Sequence, residues 1–208
     1  MPVKQTIPYH YGSFFINFTS YKWLPLIEKV NGYDIIYNWF DILEKDGHYI
    51  NGFVVMPNHL HAIISFIKSP QTFNTIILNG KRFMAYEIIN RLQQMNEIEL
   101  LAELSDGVEA KRKANKKLHA VWELSFDWKE CNSHAFMNQK IDYMHDNPCT
   151  GKWNLCRSPV EYPHSSAKFY IEGLHSGYPV TNFMEMDDVV FVTQDRKGLD
   201  YEKENKYG

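Results

Sequence analysis

His59 and His61 stand one residue apart in the run Val54-Val55-Met56-Pro57-Asn58-His59-Leu60-His61-Ala62-Ile63-Ile64-Ser65-Phe66. The stretch after Asn58 is apolar and rich in β-branched residues, which predicts a strand. Residues i and i+2 of a strand share a face, so both imidazoles are held side by side on a rigid element. Two neutral imidazoles are a ready pair of metal ligands. A single strand histidine is commonly a hydrogen-bonded core or surface residue. A pair inside an apolar run demands polar partners for both rings. A third ligand elsewhere in the chain would decide between these readings.

A second group lies in Gln139-Lys140-Ile141-Asp142-Tyr143-Met144-His145-Asp146-Asn147-Pro148. Helical neighbours fall at i±3 and i±4, so Tyr143 shares a stripe with Gln139 and Asn147. The Tyr143 hydroxyl and the Asn147 amide can therefore face one point in space. Gln139 is geometrically open to the same role. His145 falls off the stripe and is expected at the surface. The ordinary fate of a helix tyrosine is packing at a core boundary. An asparagine before a proline ordinarily ends a helix.

These groups need a scaffold. Residues 13–20 predict a first strand. Tyr33 to Lys45 carries Ile35, Ile36, Trp39, Phe40 and Leu43 at helical spacing, and Asp46-Gly47 stops it. Tyr49 to Met56 predicts a second strand. Pro57-Asn58 predicts a turn, and residues 59–67 a third strand, closing a hairpin. Thr72 to Met95 predicts a long helix, with Gly80 as its weak point. Residues 96–118 are charged and helix-permissive and read as an insertion. Leu118 to Phe126 predicts a fourth strand, and Ser133 to Asn147 a helix N-capped by Ser133 and ended by Pro148. The order β-α-β-β-α-β-α predicts an α+β fold. It is a ferredoxin-like sandwich, an antiparallel sheet with helices on one face, followed by a C-terminal helix carrying Tyr143. The domain is expected over residues 1–172, with 173–208 as a tail.

The chain has 208 residues, enough for one domain with an elaboration. No apolar run reaches membrane-spanning length, and the first residues do not resemble a signal peptide. Cys131, Cys149 and Cys156 form no paired metal spacing, and an odd count without an export signal fits a reducing cytoplasm. The net charge of −3 is low for a nucleic-acid binder. The charge is uneven, however. Lys111, Arg112, Lys113, Lys116 and Lys117 form a basic run, whereas residues 185–204 are net acidic. A basic run is often only a solvated face.

With these residues set out, the sequence resembles a known family. Met56-Pro57-Asn58-His59-Leu60-His61, followed by Tyr143-Met144-His145-Asp146-Asn147-Pro148, is similar to the single-tyrosine HUH transposases of bacterial insertion sequences. It is most similar to their domesticated relatives, the REP-associated tyrosine transposases. Trp122-Glu123 resembles the family's tryptophan-polar pair. Tyr162-Pro163-His164-Ser165-Ser166 with Tyr170 resembles its closing segment. The likeness covers roughly residues 10–172, with four blocks in the family's order. It departs after Pro148, where Cys149-Thr150-Gly151 replaces a longer exit.

The resemblance implies that His59, His61 and Asn147 hold a divalent metal, Mg2+ or Mn2+, and that Tyr143 is the nucleophile. Lys81 and Arg82 match a basic spot that touches phosphate. Such a site would nick and rejoin single-stranded DNA through a 5′-phosphotyrosine. The covalent link conserves the bond, so rejoining needs no ATP. An unperturbed phenol ionises near pH ~10, so a cation must assist, and Lys140 at i−3 is placed to do so. The expected partner is single-stranded or hairpin DNA. The implied protein is a monomer or homodimer in the cytoplasm, associated with the nucleoid. The basic run at 111–117 is a candidate hairpin contact, and Trp128 and Trp153 are candidate base-stacking or packing residues. Two other readings compete with the strand transferase. One is a domesticated hairpin-DNA-binding protein with little or no cleavage. The other, a water-using hydrolase, lacks a carboxylate base beside the histidines.

Overall fold

The structure, a computed structural model, describes residues 11–67, 69, 71–109, 118–124 and 126–186. Four strands form one antiparallel sheet: β1 (Gly12–Thr19), β2 (Tyr49–Met56), β3 (His59–Phe66) and β4 (Asp127–Glu130). Their spatial order is β2-β3-β1-β4, with β3 and β1 in the centre. A short helix α1 (Leu26–Lys29) and then α2 (Tyr33–Lys45) join β1 to β2, and α3 (Phe73–Gln94) follows β3. This is the ferredoxin-like arrangement. Three further α-helices follow among the described residues: α4 (Ile98–Asp106), α5 (His134–Asp146) and α6 (Ala167–Glu172).

The alternation of strand side chains divides the apolar residues between two cores. Phe14, Ile16, Phe18, Phe53, Val55, Leu60, Ala62 and Ile64 face α2 and α3 in the larger one. Phe15, Val54, Met56 and Ile63 point the other way, onto Met137, Ile141 and Met144 of α5. Two helices thus cover one face of the sheet, and α5 crosses the other. Ser133 caps α5, its hydroxyl accepting from Phe136 N at 3.3 Å. α5 approaches β2 closely because residue 52 is glycine, where a Cβ would sit 2.6 Å from Ile141 Cδ1 and 3.0 Å from Met144 Cε. Gly80, the weak point of α3, has a similar purpose, since a Cβ there would strike the Trp39 indole.

The fourth strand lies later than the sequence predicts. Residues 118–126 do not form it. Trp122 makes an isolated bridge to Ser20, and its indole N–H donates to Lys81 O at 2.9 Å. The ladder resumes at Asp127, where Trp128 pairs with Ile16. The real strand, Asp-Trp-Lys-Glu, is a short charged edge, which hides it from an apolar pattern. The helix carrying Tyr143 is not ended outright by Pro148, because a 3-10 turn, Asn147–Cys149, continues its C-terminus.

The outer edge of β2 is covered by the closing segment. Val55 N donates to His164 O at 2.8 Å and Ser166 N to Phe53 O at 3.0 Å. The Tyr162 hydroxyl donates to Val55 O at 2.8 Å and that of Tyr170 to Asn51 O at 2.6 Å. Beyond residue 172, the part described continues along the same edge. Thr181 N donates to Ile50 O at 2.9 Å, and Phe183 and Met186 are buried. Among the described residues, no helix is long and apolar enough to cross a membrane.

Candidate active site

β3 is flanked by strands on both sides, and all eight of its residues are buried. His59 and His61 lie on the face that receives α5. Their ring centroids are 4.8 Å apart. In register, Asn17 and Val54 lie beside His61, while Thr19 and Met56 lie beside His59. The histidines are therefore fixed by strand pairing rather than by a loop.

The protonation pattern at His59 follows from its neighbour. Asn58 Nδ2 donates to Trp23 O at 2.9 Å, which fixes the orientation of the amide. Its Oδ1 lies 2.7 Å from His59 Nδ1 and can only accept, so Nδ1 carries the proton. The lone pair is left on Nε2. Asn147 also hydrogen-bonds the His59 side chain, and Nε2 is the atom left for it. Burial pushes His59 down to about 4; the Asn147 hydrogen bond opposes the fall and the Lys152 charge adds to it. Burial, then His59, then Lys140 take His61 down to about 3. Both rings are therefore neutral near pH ~7.

α5 brings the second group over the first. The Tyr143 ring lies 5.5 Å from the His61 ring and 6.2 Å from Phe15, and Tyr143 is 53 % exposed. Asn147, one turn on, is half-buried beside His59. Lys140 Nζ lies 5.4 Å from the centre of the Tyr143 ring and 5.1 Å from that of Phe15. His59, His61, Tyr143, Asn147 and Lys140 thus lie together where α5 crosses β3. Gln139 is exposed.

A divalent ion fits these residues. The buried Nδ1 of His61 has no hydrogen-bond partner. His59 shows an arrangement common to metal-bound imidazoles: Nδ1 is held by Asn58, and Nε2 keeps its lone pair on the side of Asn147. Among the described residues there is no cluster of three His, Cys, Asp or Glu. The third donor available is the Asn147 amide oxygen, and two nitrogens with one oxygen suit Mn2+ or Mg2+.

Two expectations require correction. His145 is buried, not at the surface, and its Nε2 lies 2.9 Å from Ser166 Oγ. The β2-edge segment covers the side of α5 that a helical stripe leaves open. Lys81 is also buried: its ammonium donates to Glu123 O at 3.0 Å and lies over the Phe18 and Phe126 rings. It is a structural cation and presents no ammonium to a phosphate. Arg82 is exposed but belongs to α3, on the opposite side of the sheet. There it lines a groove of about 610 Å3 with Tyr86 and Leu118. Lys111, Arg112, Lys113, Lys116 and Lys117 lie outside the described residues. Trp128 belongs to the larger core, with Phe14 5.8 Å away.

Trp23 and Lys152 carry no local pattern that marks them as site residues. Trp23 stands 6.0 Å from the His59 ring, Trp153 stands 6.2 Å from it, and Lys152 Nζ lies over both indoles. Trp23 is distant in sequence and has the pattern of an ordinary aromatic. The hydrogen bond from Asn58 Nδ2 to Trp23 O ties it to the turn before His59.

Neither a protein-family model nor a curated protein sequence matches the chain. Among solved structures, it is similar to a REP-associated tyrosine transposase bound to a REP hairpin. The TM-score is 0.59 at 14 % identity, over 88 % of this chain and 93 % of that one. A crystal structure from Deinococcus radiodurans R1, provisionally named a transposase, gives a TM-score of 0.36 at 16 % identity, over 68 % of this chain and 98 % of that one. The second likeness is too slight to carry an argument. The first is a likeness of architecture: the chain has the fold of a REP-associated tyrosine transposase.

Proposed function

We propose that this protein cuts and rejoins single-stranded DNA, with Tyr143 as nucleophile and a divalent ion, Mg2+ or Mn2+, held by His59, His61 and Asn147. The observation that carries this reading is the convergence of α5 and β3. A half-exposed phenol lies 5.5 Å from one of two neutral imidazoles, and an amide one helical turn away bonds the other. When bound, the ion would neutralise charge on the non-bridging phosphate oxygens and ease departure of the leaving oxygen.

The protein's own residues supply the rest. The Tyr143 oxygen forms a bond to phosphorus as the bond from phosphorus to the 3′ oxygen breaks. The phenol gives up its proton and the departing oxygen takes one up, yielding a 5′-phosphotyrosine and a free 3′-OH. The reverse reaction reseals a strand without an external energy source. Lys140 holds positive charge beside the phenol, where it can meet the charge of the phosphate. Exposure of Tyr143 admits a strand from solvent, and an unstacked backbone can bend toward it. The structural neighbour was solved on a REP hairpin, which makes a hairpin with an unpaired flank the first substrate to try. The protein acts as a monomer or homodimer on DNA in the cytoplasm.

The test is a denaturing gel of labelled single-stranded hairpin DNA incubated with protein and Mn2+. A slow, protease-sensitive adduct that disappears in Tyr143→Phe is expected. DNA binding without any adduct would replace this reading with a hairpin-binding protein. Absence of DNA binding would remove both.

A further inference from the structure

Beyond His59, on the side away from Tyr143, stand two indoles and an ammonium. Trp23 and Trp153 approach the His59 ring at 6.0 and 6.2 Å, and Lys152 Nζ lies 5.6 and 5.3 Å from their respective ring centres. Trp23 is 55 % exposed, so it is not a packing residue.

Its exposure is imposed by the backbone. Lys22 and Trp23 have φ of 50° and 60°, the left-handed region that side chains other than glycine rarely adopt. The strained pair is held by several bonds. Lys22 N donates to Glu123 Oε1 at 2.8 Å, Lys22 Nζ to Glu103 at 3.0 Å, and Trp23 N to Ser20 O at 3.0 Å. Asn58 takes Trp23 O with one end of its amide and His59 with the other. The side chain that orients His59 therefore also anchors the exposed indole.

A flat aromatic face beside a cation suits a nucleobase and its phosphate, because every base has a π-face and every linkage a negative charge. The layout along β3 gives a direction. Tyr143 adjoins His61, whereas the indoles adjoin His59, at the other end of the pair. An in-line displacement places nucleophile and leaving group on opposite sides of phosphorus. The nucleotide carrying the leaving 3′ oxygen then points toward Trp23.

We propose that Trp23, Lys152 and Trp153 form a subsite for the nucleotide immediately 5′ of the cut. Its base stacks on the Trp23 indole, and Lys152 pairs with its phosphate. The subsite rests on the strand-transfer reading above and adds to it a base-binding position. It tolerates any base, since stacking rather than directional hydrogen bonding holds the ring.

The test uses the full chain as Tyr143→Phe, which binds without cutting, and fluorescein-labelled single-stranded oligonucleotides. Each oligonucleotide carries one abasic residue, moved through every position, and Kd is measured. Wild-type adduct formation on the unmodified strand maps the cut. An abasic residue 5′ of the cut is expected to weaken binding about tenfold, within the range for loss of one stacked base. Adding Trp23→Ala is expected to weaken binding to the intact strand by a similar factor and to erase the abasic effect, whereas Trp23→Phe restores it. Lys152→Gln is expected to lower the salt dependence by about one phosphate contact. If wild type forms the adduct but no position couples to Trp23, the subsite is refuted and the transferase reading stands. If wild type neither binds nor cuts DNA, both are refuted.

Discussion

Asn58 locks His59 in one tautomer: its Oδ1 sits 2.7 Å from Nδ1, while its Nδ2 is committed to Trp23 O at 2.9 Å. A buried residue in the tight turn between two strands therefore decides which imidazole nitrogen is free. Asn58→Ala should leave His59 in place but release its ring. Loss of such an outer partner typically weakens metal affinity about 10–100-fold. Mn2+ titration followed by electron paramagnetic resonance measures it, with His59→Ala as the limit of lost binding. Unchanged Mn2+ affinity in Asn58→Ala would show that the hydrogen bond does not orient a ligand.

The close approach of α5 to β2 at Gly52 sets the height of Tyr143 above the sheet. Gly52→Ala would meet the flexible ends of Ile141 and Met144, at 2.6 and 3.0 Å. Both atoms are the far ends of flexible side chains, which must shift to make room, so the cost is expected to be about 1 kcal/mol. Gly52→Val cannot be relieved so easily and should cost roughly 2–3 kcal/mol in a urea melt. Because the strain lifts α5, Gly52→Ala should also slow the proposed adduct formation more than it weakens DNA binding. Equal loss of both would mean that α5 does not move.

His164 gives the β2 edge a pH dependence. Its ring stacks on Tyr33 with centroids 3.4 Å apart, its Nδ1 lies 2.9 Å from the Tyr37 hydroxyl, and Tyr162 stands at its edge 5.9 Å away. Burial pushes it down to about 4. An unfolded histidine titrates near pH ~6.5, above the folded value. The unfolded chain therefore binds the proton first. The stability from keeping this ring neutral is complete above the unfolded value, is lost as pH falls, and levels out near the folded value. The slope attributable to His164 is at most roughly 1 kcal/mol per pH unit, since the ring is only partly buried. His164→Phe keeps the stack on Tyr33 but cannot titrate. The gap in unfolding free energy between wild type and variant should change between pH ~6.5 and ~4. A gap constant across that window would mean that the ring is already protonated in the fold.

Much of this scaffold is legible in the sequence, and the parts that are not share a cause. The helix at 33–45 and the strand at 49–56 follow from apolar periodicity, because each packs one clear face on a core. The His59–His61 pair is legible because strand geometry alone places both rings together. The convergence of Tyr143 with His61 depends on a helix crossing the second face of the sheet, which local spacing does not encode. His145 is buried only because residues 162–170, far along the chain, cover its side of α5. Lys81 reads as a surface cation until Trp122 and Glu123 close over it. Trp23 and Lys152 carry no local pattern and meet at His59 only through the tertiary fold.

Cys149 and Cys156 follow the C-terminal end of α5 with their sulfurs 3.0 Å apart, and both are free thiols. Burial, with Cys149 next to it, pushes Cys156 up to about 12. A mild disulfide oxidant such as oxidised glutathione can remove two electrons and two protons from the pair and close a bond, itself being reduced to two thiols. The loop so closed contains Lys152 and Trp153. Intact-protein mass spectrometry should show loss of two hydrogens, absent in Cys149→Ser, and Cys131 should stay unreacted because it is buried. A mixed disulfide with glutathione as the stable product, with no loss of hydrogens, would show that the two thiols do not meet.

Lys140 provides the sharpest separation between chemistry and binding. Its ammonium sits 5.4 Å from the Tyr143 ring centre and 5.1 Å from that of Phe15, held on the same helix face as the phenol. A cation at this position would stabilise the negative charge that gathers on the phosphate as the Tyr143 oxygen attacks. Lys140→Met keeps the stem packed on Phe15 and removes the charge. Adduct formation should fall about tenfold, equivalent to ~1.4 kcal/mol. Binding of the uncut strand should weaken by much less. If binding and adduct formation fall together, Lys140 holds the strand and takes no part in the step. If neither changes, Lys140 is a solvated side chain.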